Sequence, residues 1–537
     1  MTLRYLILLL LSVGLLGPPA AAQRAILPAP PDAPVQSART ELPLEAGDSE
    51  VHLQALATDS TVVLLLGRER PLSSKTDYSF QQYDHTLHLR QETPLMVPDE
   101  FSFARMCAEG STVYVLFSSR NTPGRLLAAA YNGRLGQTRT QQFDTKLSRE
   151  IVELKALDGR LFATVLLNDQ LHVTALLLDV ATGQMQYLSS VYEPLPTQLT
   201  FVADAASRRA EYVLSQTNGR KSRLLLKQLT DKGQLVSSEF VQAESERSLI
   251  TAQVTPPQDT TSRLLMGTYS LRGPEYAQGL FATDLRPGGL APAGPRSPLR
   301  FYDFLHLKHF FDYLKPRRQT RLRQRVARRL ARSLSPMRWH YRLLLHELLP
   351  QPDGGYVLVA EVYVPHYRYN SYGGYGGSYT PYGNQFYSPY SGAGGYGNTR
   401  VFDGYQTTHA VVCGFDRGGN LVWDNTFVVE NLRRGELEET VRLQTLGDGR
   451  FVLAYLDENK LRYKVVNRAD NSPNDQHVLI QTAAAPATPE TERPTQTTQT
   501  DLLPWYGTRF VASGYQHVRV EHGRDRDVFF LNSVAFH

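Results

Sequence analysis

Cysteine is almost absent: Cys107 and Cys413 are the only two in 537 residues. That excludes a disulfide framework, and there is no Cys-x-x-Cys pair for metal or redox chemistry. A chain of this length buries enough apolar surface without covalent staples. The two cysteines fall in different strands of different repeats, so both are expected as small buried hydrophobes. No run beyond residue 16 approaches 18 consecutive apolar residues. No transmembrane span is therefore expected, and the mature chain reads as soluble. Catalytic signatures are missing as well. There is no Gly-x-Ser-x-Gly, no His-Glu-x-x-His and no phosphate-binding glycine loop. His346-Glu347 lacks a second histidine at the required offset; His346 is read as a satisfied histidine on a strand. Asp470, Asn471, Asn474 and Asp475 offer oxygen ligands without EF-hand spacing and read as a polar turn. No cofactor and no metal site is expected.

Charge of one sign is concentrated in one place. The net charge is +5, yet residues 315–332 alone carry Lys315 and eight arginines. The rest of the chain is close to neutral or slightly acidic, so the overall pI is no argument for a nucleic-acid partner, and none is expected. The N-terminus has the features of a secretory signal. Arg4 precedes an apolar run of 12 residues, Tyr5 to Leu16, and Ala20-Ala21-Ala22 gives a small-residue cleavage site before Gln23. Residues 1–22 are expected to be a signal peptide and 23–49 a lead-in. No cysteine lies near the cleavage site to carry a lipoprotein anchor. The expected destination is outside the cytoplasm: periplasm, cell envelope or extracellular space.

What is present is a repeat. Asp-Gly turns and their relatives, which supply the positive φ of tight hairpins, recur near 59, 110, 159, 208, 259, 354 and 449. The steps are 51, 49, 49, 51, 95 and 95. A second turn series, about 25 residues later, includes Gly133, Gly183, Gly233 and Gly288, separated by 50, 50 and 55. Between the turns, Thr61–Leu66, Val113–Phe117, Leu161–Leu167 and Val357–Val364 are apolar and partly β-branched, as strands buried on both faces are. His52–Ala55, Val152–Lys155 and Val441–Gln444 alternate, as strands with one less buried side do. Four antiparallel strands in about 50 residues make a propeller blade.

Over residues 50–481 the chain resembles the β-propeller families, such as kelch-type and quinoprotein-type repeats, in architecture only. Gly418-Gly419-Asn420-Leu421-Val422-Trp423 resembles one quinoprotein-type blade motif and occurs once. The expected fold is all-β, a propeller of seven four-stranded blades, with six or eight left open. Paired β-sandwiches do not require a constant step, and a β-solenoid needs shorter repeats.

Both steps of 95 contain an insertion. In residues 301–338, Phe304, Leu307, Phe311 and Leu314 recur at helical spacing, which predicts a first helix. Pro316 breaks the pattern and suits the first turn of a second. There Leu322, Val326 and Leu330 fall at i, i+4 and i+8, and arginines cover the rest, giving a basic amphipathic helix. Residues 367–404 set Tyr369, Tyr372, Tyr375, Tyr379, Tyr382, Tyr387, Tyr390 and Tyr396 among Gly, Ser, Asn and Pro, which reads as a mobile loop. Residues 482–504, rich in Ala, Pro and Thr, read as a linker. Residues 505–537 read as a terminal hairpin packing on the propeller, a partial eighth blade being the alternative.

In a four-stranded meander the strand b–c loop and the d-to-next-a connection share one end. Both insertions are therefore expected on one face, near the mouth of the central channel, where recognition loops concentrate. The candidate binding residues are Arg317, Arg318, Arg321, Arg325, Arg328, Arg329, Tyr372, Tyr375 and Tyr379. No residue is assigned a catalytic role. His52, Gln54, Arg105, Glu153, Lys155, Glu347, Arg442 and Gln444 are expected beside the channel, where mixed charges also serve simply to satisfy a wet lining. The expected function is non-enzymatic binding or scaffolding toward a protein, a glycan or an anionic membrane surface. The alternative is a carbohydrate-active hydrolase or lyase with paired carboxyl groups at the channel mouth.

Overall fold

The computed structural model describes residues 32–537 apart from 71–74, 147, 195–197, 218–220, 244, 257–262, 272, 286–297, 335–336, 371–398, 431, 475, 483–491 and 521–523. The chain divides at Ala33/Pro34, and the body Pro34–His537 is a β-propeller. It has eight antiparallel sheets, so the expected seven blades are corrected to eight. The seven repeats seen in the sequence are all there, as blades 1 to 7. Their first strands are Ser49–Leu56, Phe101–Glu109, Ser148–Leu157, Gln198–Asp204, Ser248–Val254, Arg342–Leu345 and Arg442–Thr445. First strands of neighbouring blades touch one another and form the inner ring.

The eighth blade is divided between the two ends of the chain. Glu492–Pro504, Arg509–Val520 and Arg526–Ala535 supply three strands, and Val35–Leu42 supplies the outermost. Val35 pairs with Ala535 and Leu42 with Phe529. Residues 492–504, read above as part of a linker, are thus the inner strand of this blade. Gln36 fastens the clasp to blade 7, donating to Leu479 O at 2.7 Å and accepting from Gln481 N at 2.9 Å. Thr40 Oγ1 donates to Leu87 O of blade 1.

Eight apolar clusters hold the described residues together, one between each adjacent pair of blades. The second strand of each blade is buried on both sides; Val62 to Leu66 show how completely. This is why those strands read as continuous apolar runs. Cys107 and Cys413 are buried and unpaired, and burial pushes the Cys107 thiol up to about 12.

The short turns occupy one face. Leu157 pairs with Arg160 across a two-residue loop, and both loop residues have positive φ, 51° at Asp158 and 74° at Gly159. Glycine takes up that conformation without a Cβ clash. Turns of adjacent blades clasp one another. Glu109 accepts from the amides of Asp158 and Gly159 at 2.6 and 2.9 Å. Arg208 meets both Asp158 and Asp231, the latter at 2.8 Å, and Arg160 meets Asp231 at 3.0 Å.

The described residues contain one α-helix, Pro316–Ala331, here α1. The helix expected over Phe304–Leu314 is corrected: that segment is a succession of turns. Its helical spacing arises because Phe304, Leu307, Phe310 and Phe311 fill the core between blades 5 and 6. In blade 6 the second and third strands, Tyr356–Asn370 and Thr399–Phe415, run past their neighbours as a long hairpin paired out to Asn370 and Thr399. Both ends of the stretch expected as a loop are therefore strand.

Candidate functional site

The connections on the face opposite the short turns include the two insertions and a third long segment that sequence reasoning passed over. Residues 429–441 link the last strand of blade 6 to the first of blade 7, against five residues at the equivalent link between blades 1 and 2. The segment lies over the channel. Arg433 and Arg434 pair with Gln406 and Tyr405 of the long hairpin. Arg434 Nη1 donates to Thr500 O of blade 8 at 3.0 Å, and Glu436 meets Arg105 of blade 2 at 3.3 Å. Its far end is pinned by Glu361, a buried carboxylate on the second strand of blade 6. Glu361 Oε1 accepts from Thr440 N at 2.7 Å, Val441 N at 2.8 Å and His346 Nε2 at 2.9 Å. Thr407 Oγ1 donates to the other oxygen at 3.3 Å. Burial alone lowers the His346 pKa, but Glu439 and Glu361 outweigh it, so the imidazole is held above its usual value. The unusual length and the charged run Arg433-Arg434-Gly435-Glu436-Leu437-Glu438-Glu439 were the available signal.

Beneath residues Glu436 to Glu438 lies a cavity of about 500 Å³ between blades 8, 1, 2 and 3. His52, Gln54 and Arg105 line it as expected, joined by Glu150, Asp501 and Tyr515. A second group gathers on blades 3 and 6, where Lys155 Nζ binds Glu347 Oε1. Burial raises the Glu153 carboxyl to about 7; Lys155 opposes the shift, and Glu347 and Glu439 add to it. Burial also depresses Lys155, but Glu347, Glu153 and Glu439 overcome it and hold its pKa up. Arg442 pairs with Glu439 at 2.9 Å and reaches Asp501 at 3.8 Å. Gln444 is not in the channel. It is buried between blades 7 and 8, donating to Arg509 O at 2.7 Å. Among the described residues no group of three or more His, Cys, Asp or Glu side chains is placed to hold a metal ion.

The helical insertion begins and ends on the face opposite the short turns but bends outward. The Lys308 and His309 amides donate to the two oxygens of Asp424, on the last strand of blade 6, at 2.9 and 2.7 Å. His309 Nε2 lies 3.0 Å from Ala469 O of blade 7. Residues 304–314 thus cover the outer edge of blade 6, and α1 is carried to the rim rather than the channel mouth. Leu322 and Val326 join the core of blades 5 and 6. Arg323 turns back to the ring, donating to Lys308 O at 2.8 Å. Arg317, Arg318, Arg321, Arg325 and Arg328 are exposed, and Arg329 is partly buried at the shoulder. Tyr372, Tyr375 and Tyr379 lie outside the described residues. The hairpin root bears Tyr363 against Tyr405, and Phe402 against Tyr367 and Tyr405, with ring centroids 5.0–5.8 Å apart.

Fold and site together define an eight-bladed β-propeller whose channel is covered on one side and whose basic helix rides on the rim. No protein-family model and no curated protein matches the sequence. Solved structures are similar at the level of the propeller. A structure described as polysaccharide lyase Uly1 shares 8% identity at a TM-score of 0.37, covering 80% of this chain and 89% of that one. The β-propeller domain of the trilobed protease from Pyrococcus furiosus shares 6% at 0.34, covering 80% and 96%. A prolyl endopeptidase shares 10% at 0.38, covering 89% of this chain and 54% of that one, so this chain spans about half of its length. Among the described residues no helix is long and apolar enough to cross a membrane.

Proposed function

We propose that the protein is an exported, non-enzymatic binding or scaffold protein of the cell envelope or extracellular space. It recognises a protein, glycan or anionic surface through the two insertions of blades 5 and 6. One observation carries this reading. The charged groups over the channel are largely paired with one another, whereas the outward arginines of α1 have no carboxylate partner among the described residues. The experiment is co-sedimentation of the full chain with envelope material. It compares wild type, R317E/R321E/R328E, and a variant with residues 371–398 replaced by a short turn. Association that survives both changes in a folded protein rejects the reading. Export is tested by cell fractionation and the mature N-terminus, expected at Gln23; a chain retained in the cytosol with Met1 intact counts against it.

A second reading is a carbohydrate-active hydrolase or lyase at the channel. It is favoured by one observation, a Glu153 carboxyl held near 7 beside Glu347, Glu439 and Lys155. A carboxyl group that keeps its proton at neutral pH suits general-acid work beside an ionised partner. Cleavage of neutral or acidic polysaccharides by wild type, abolished in E153Q and E347Q, is its expected outcome. No cleavage by wild type on any of them removes it.

A further inference from the structure

We infer that the outward arc of α1 is a docking strip for a linear acidic polysaccharide. The inference rests on the binding reading above and narrows its partner. Sixteen residues at 1.5 Å per residue make a rod of about 24 Å. At 100° per residue, Arg317, Arg328, Arg321, Arg325 and Arg318 fall within an arc of about 100° of its surface, and Arg332 at the C-cap joins them. Leu322 and Val326 lie beyond the Arg318 edge of that arc and pack on the core. The outer surface of the helix is therefore a row of guanidinium groups, advancing by about one turn, roughly 5.4 Å, at a time.

Nothing within the helix balances that row. Pro316–Ala331 contains no acidic residue. Arg317/Arg321, Arg321/Arg325 and Arg328/Arg332 are like-charge pairs at i, i+4, which destabilise an isolated helix. Arg317 and Arg318 occupy the first turn, where the helix dipole disfavours positive charge. A row kept against local preference marks a functional surface.

The shape of the row selects among anionic partners. A helix that lies in a bilayer buries its apolar face in the lipid. Here Leu322 and Val326 of that face are packed on the propeller, which leaves Leu330 as its one exposed side chain, and the outward arc carries no apolar side chain. A one-dimensional row with turn-by-turn spacing matches a chain that carries one carboxylate or sulfate per sugar unit. Guanidinium forks bind such groups in a two-pronged fashion. The half-buried aromatic rings at the hairpin root on the same blade, Tyr363, Phe402 and Tyr405, offer flat surfaces of the kind sugar rings stack upon.

The test uses the full chain and four probes: polygalacturonate, neutral dextran, vesicles of phosphatidylglycerol and phosphatidylcholine, and polyglutamate. Expected is binding to polygalacturonate and not to dextran, weakening as salt rises. R317E/R321E/R328E should bind at least tenfold more weakly with a melting midpoint no lower than that of wild type, since all three side chains point to solvent. R323E/R329A, altered outside that arc, should lose less. Equal binding by the triple variant overturns the inference. So does tighter binding to the vesicles, which identifies a lipid surface, or equal binding to polyglutamate, which identifies an acidic protein. If reversal abolishes envelope association while polygalacturonate binds neither form, this inference fails and the wider binding reading stands. If envelope association also survives both reversal and loss of residues 371–398, both fail.

Discussion

His409 sits fully buried on the third strand of blade 6, stacked on Tyr313 with ring centroids 4.1 Å apart. Its Nδ1 lies 2.9 Å from Thr408 Oγ1, while its Nε2 has no hydrogen-bond partner. Burial depresses its pKa to about 3. In the unfolded chain the imidazole takes its proton near 6.5, whereas in the folded chain it does not until about pH 3. Between those values the unfolded state binds more protons, so stability falls as pH falls, by about 1.4 kcal/mol per pH unit. His409→Phe should flatten that acid slope, measured by denaturant titration from pH 7 to 4; an unchanged slope would refute the assignment. His346 has the opposite sign. Its raised value makes its contribution complete below 6.5 and lost as pH climbs through the folded pKa.

Single residues also explain how the helical insertion is held. Asp424 is buried and gives one oxygen to each of two amides, Lys308 and His309. Beside it Lys464, depressed to about 8 by burial, donates to Asn425 Oδ1 at 2.9 Å and Thr426 O at 2.7 Å. Asp424→Ala leaves two amides without their acceptor, and the buried one, of His309, costs about 1–3 kcal/mol. At the scale of the element the expected result is selective. Residues 304–314 should loosen and trypsin should cut α1 faster than in wild type, while the ring stays folded. Equal cleavage rates would show that Phe304, Phe310 and Phe311 alone seat the insertion. The same elements show what a sequence discloses. The first seven blades are legible because each tight hairpin demands a residue tolerant of positive φ, and Gly110, Gly159, Gly354 and Gly449 supply it. Residues 304–314 mislead because turns that plug a core space their apolar side chains as a helix does. The basic helix is legible, but its place on the rim is not, since that depends on Asp424, more than a hundred residues away. The cover over the channel hides in a connection whose only marks are length and charge.

The eighth blade escaped for a reason that belongs to the whole molecule. Its strands never occur as four in succession, so no 50-residue step announces them, and Thr- and Pro-rich composition disguises Glu492–Pro504. Closure depends on Val35–Leu42, which pairs along Phe529–Ala535 and puts Leu42 into the core between blades 8 and 1. Removing residues 34–42 should open the ring, with a stability loss comparable to that of an ordinary domain, about 5–15 kcal/mol. Denaturant unfolding would measure it. A denaturant midpoint equal to that of wild type would mean that the remaining sheets close without the clasp.

That clasp also sets a timetable for biogenesis. The acceptor for Val35–Leu42 lies nearly 500 residues further along the chain, so the first strand waits while all of them are synthesised. At about 5–20 residues per second this takes roughly half a minute to two minutes. Throughout that interval the nascent chain is an unclosed arc with exposed strand edges, the state most prone to pairing with a neighbour.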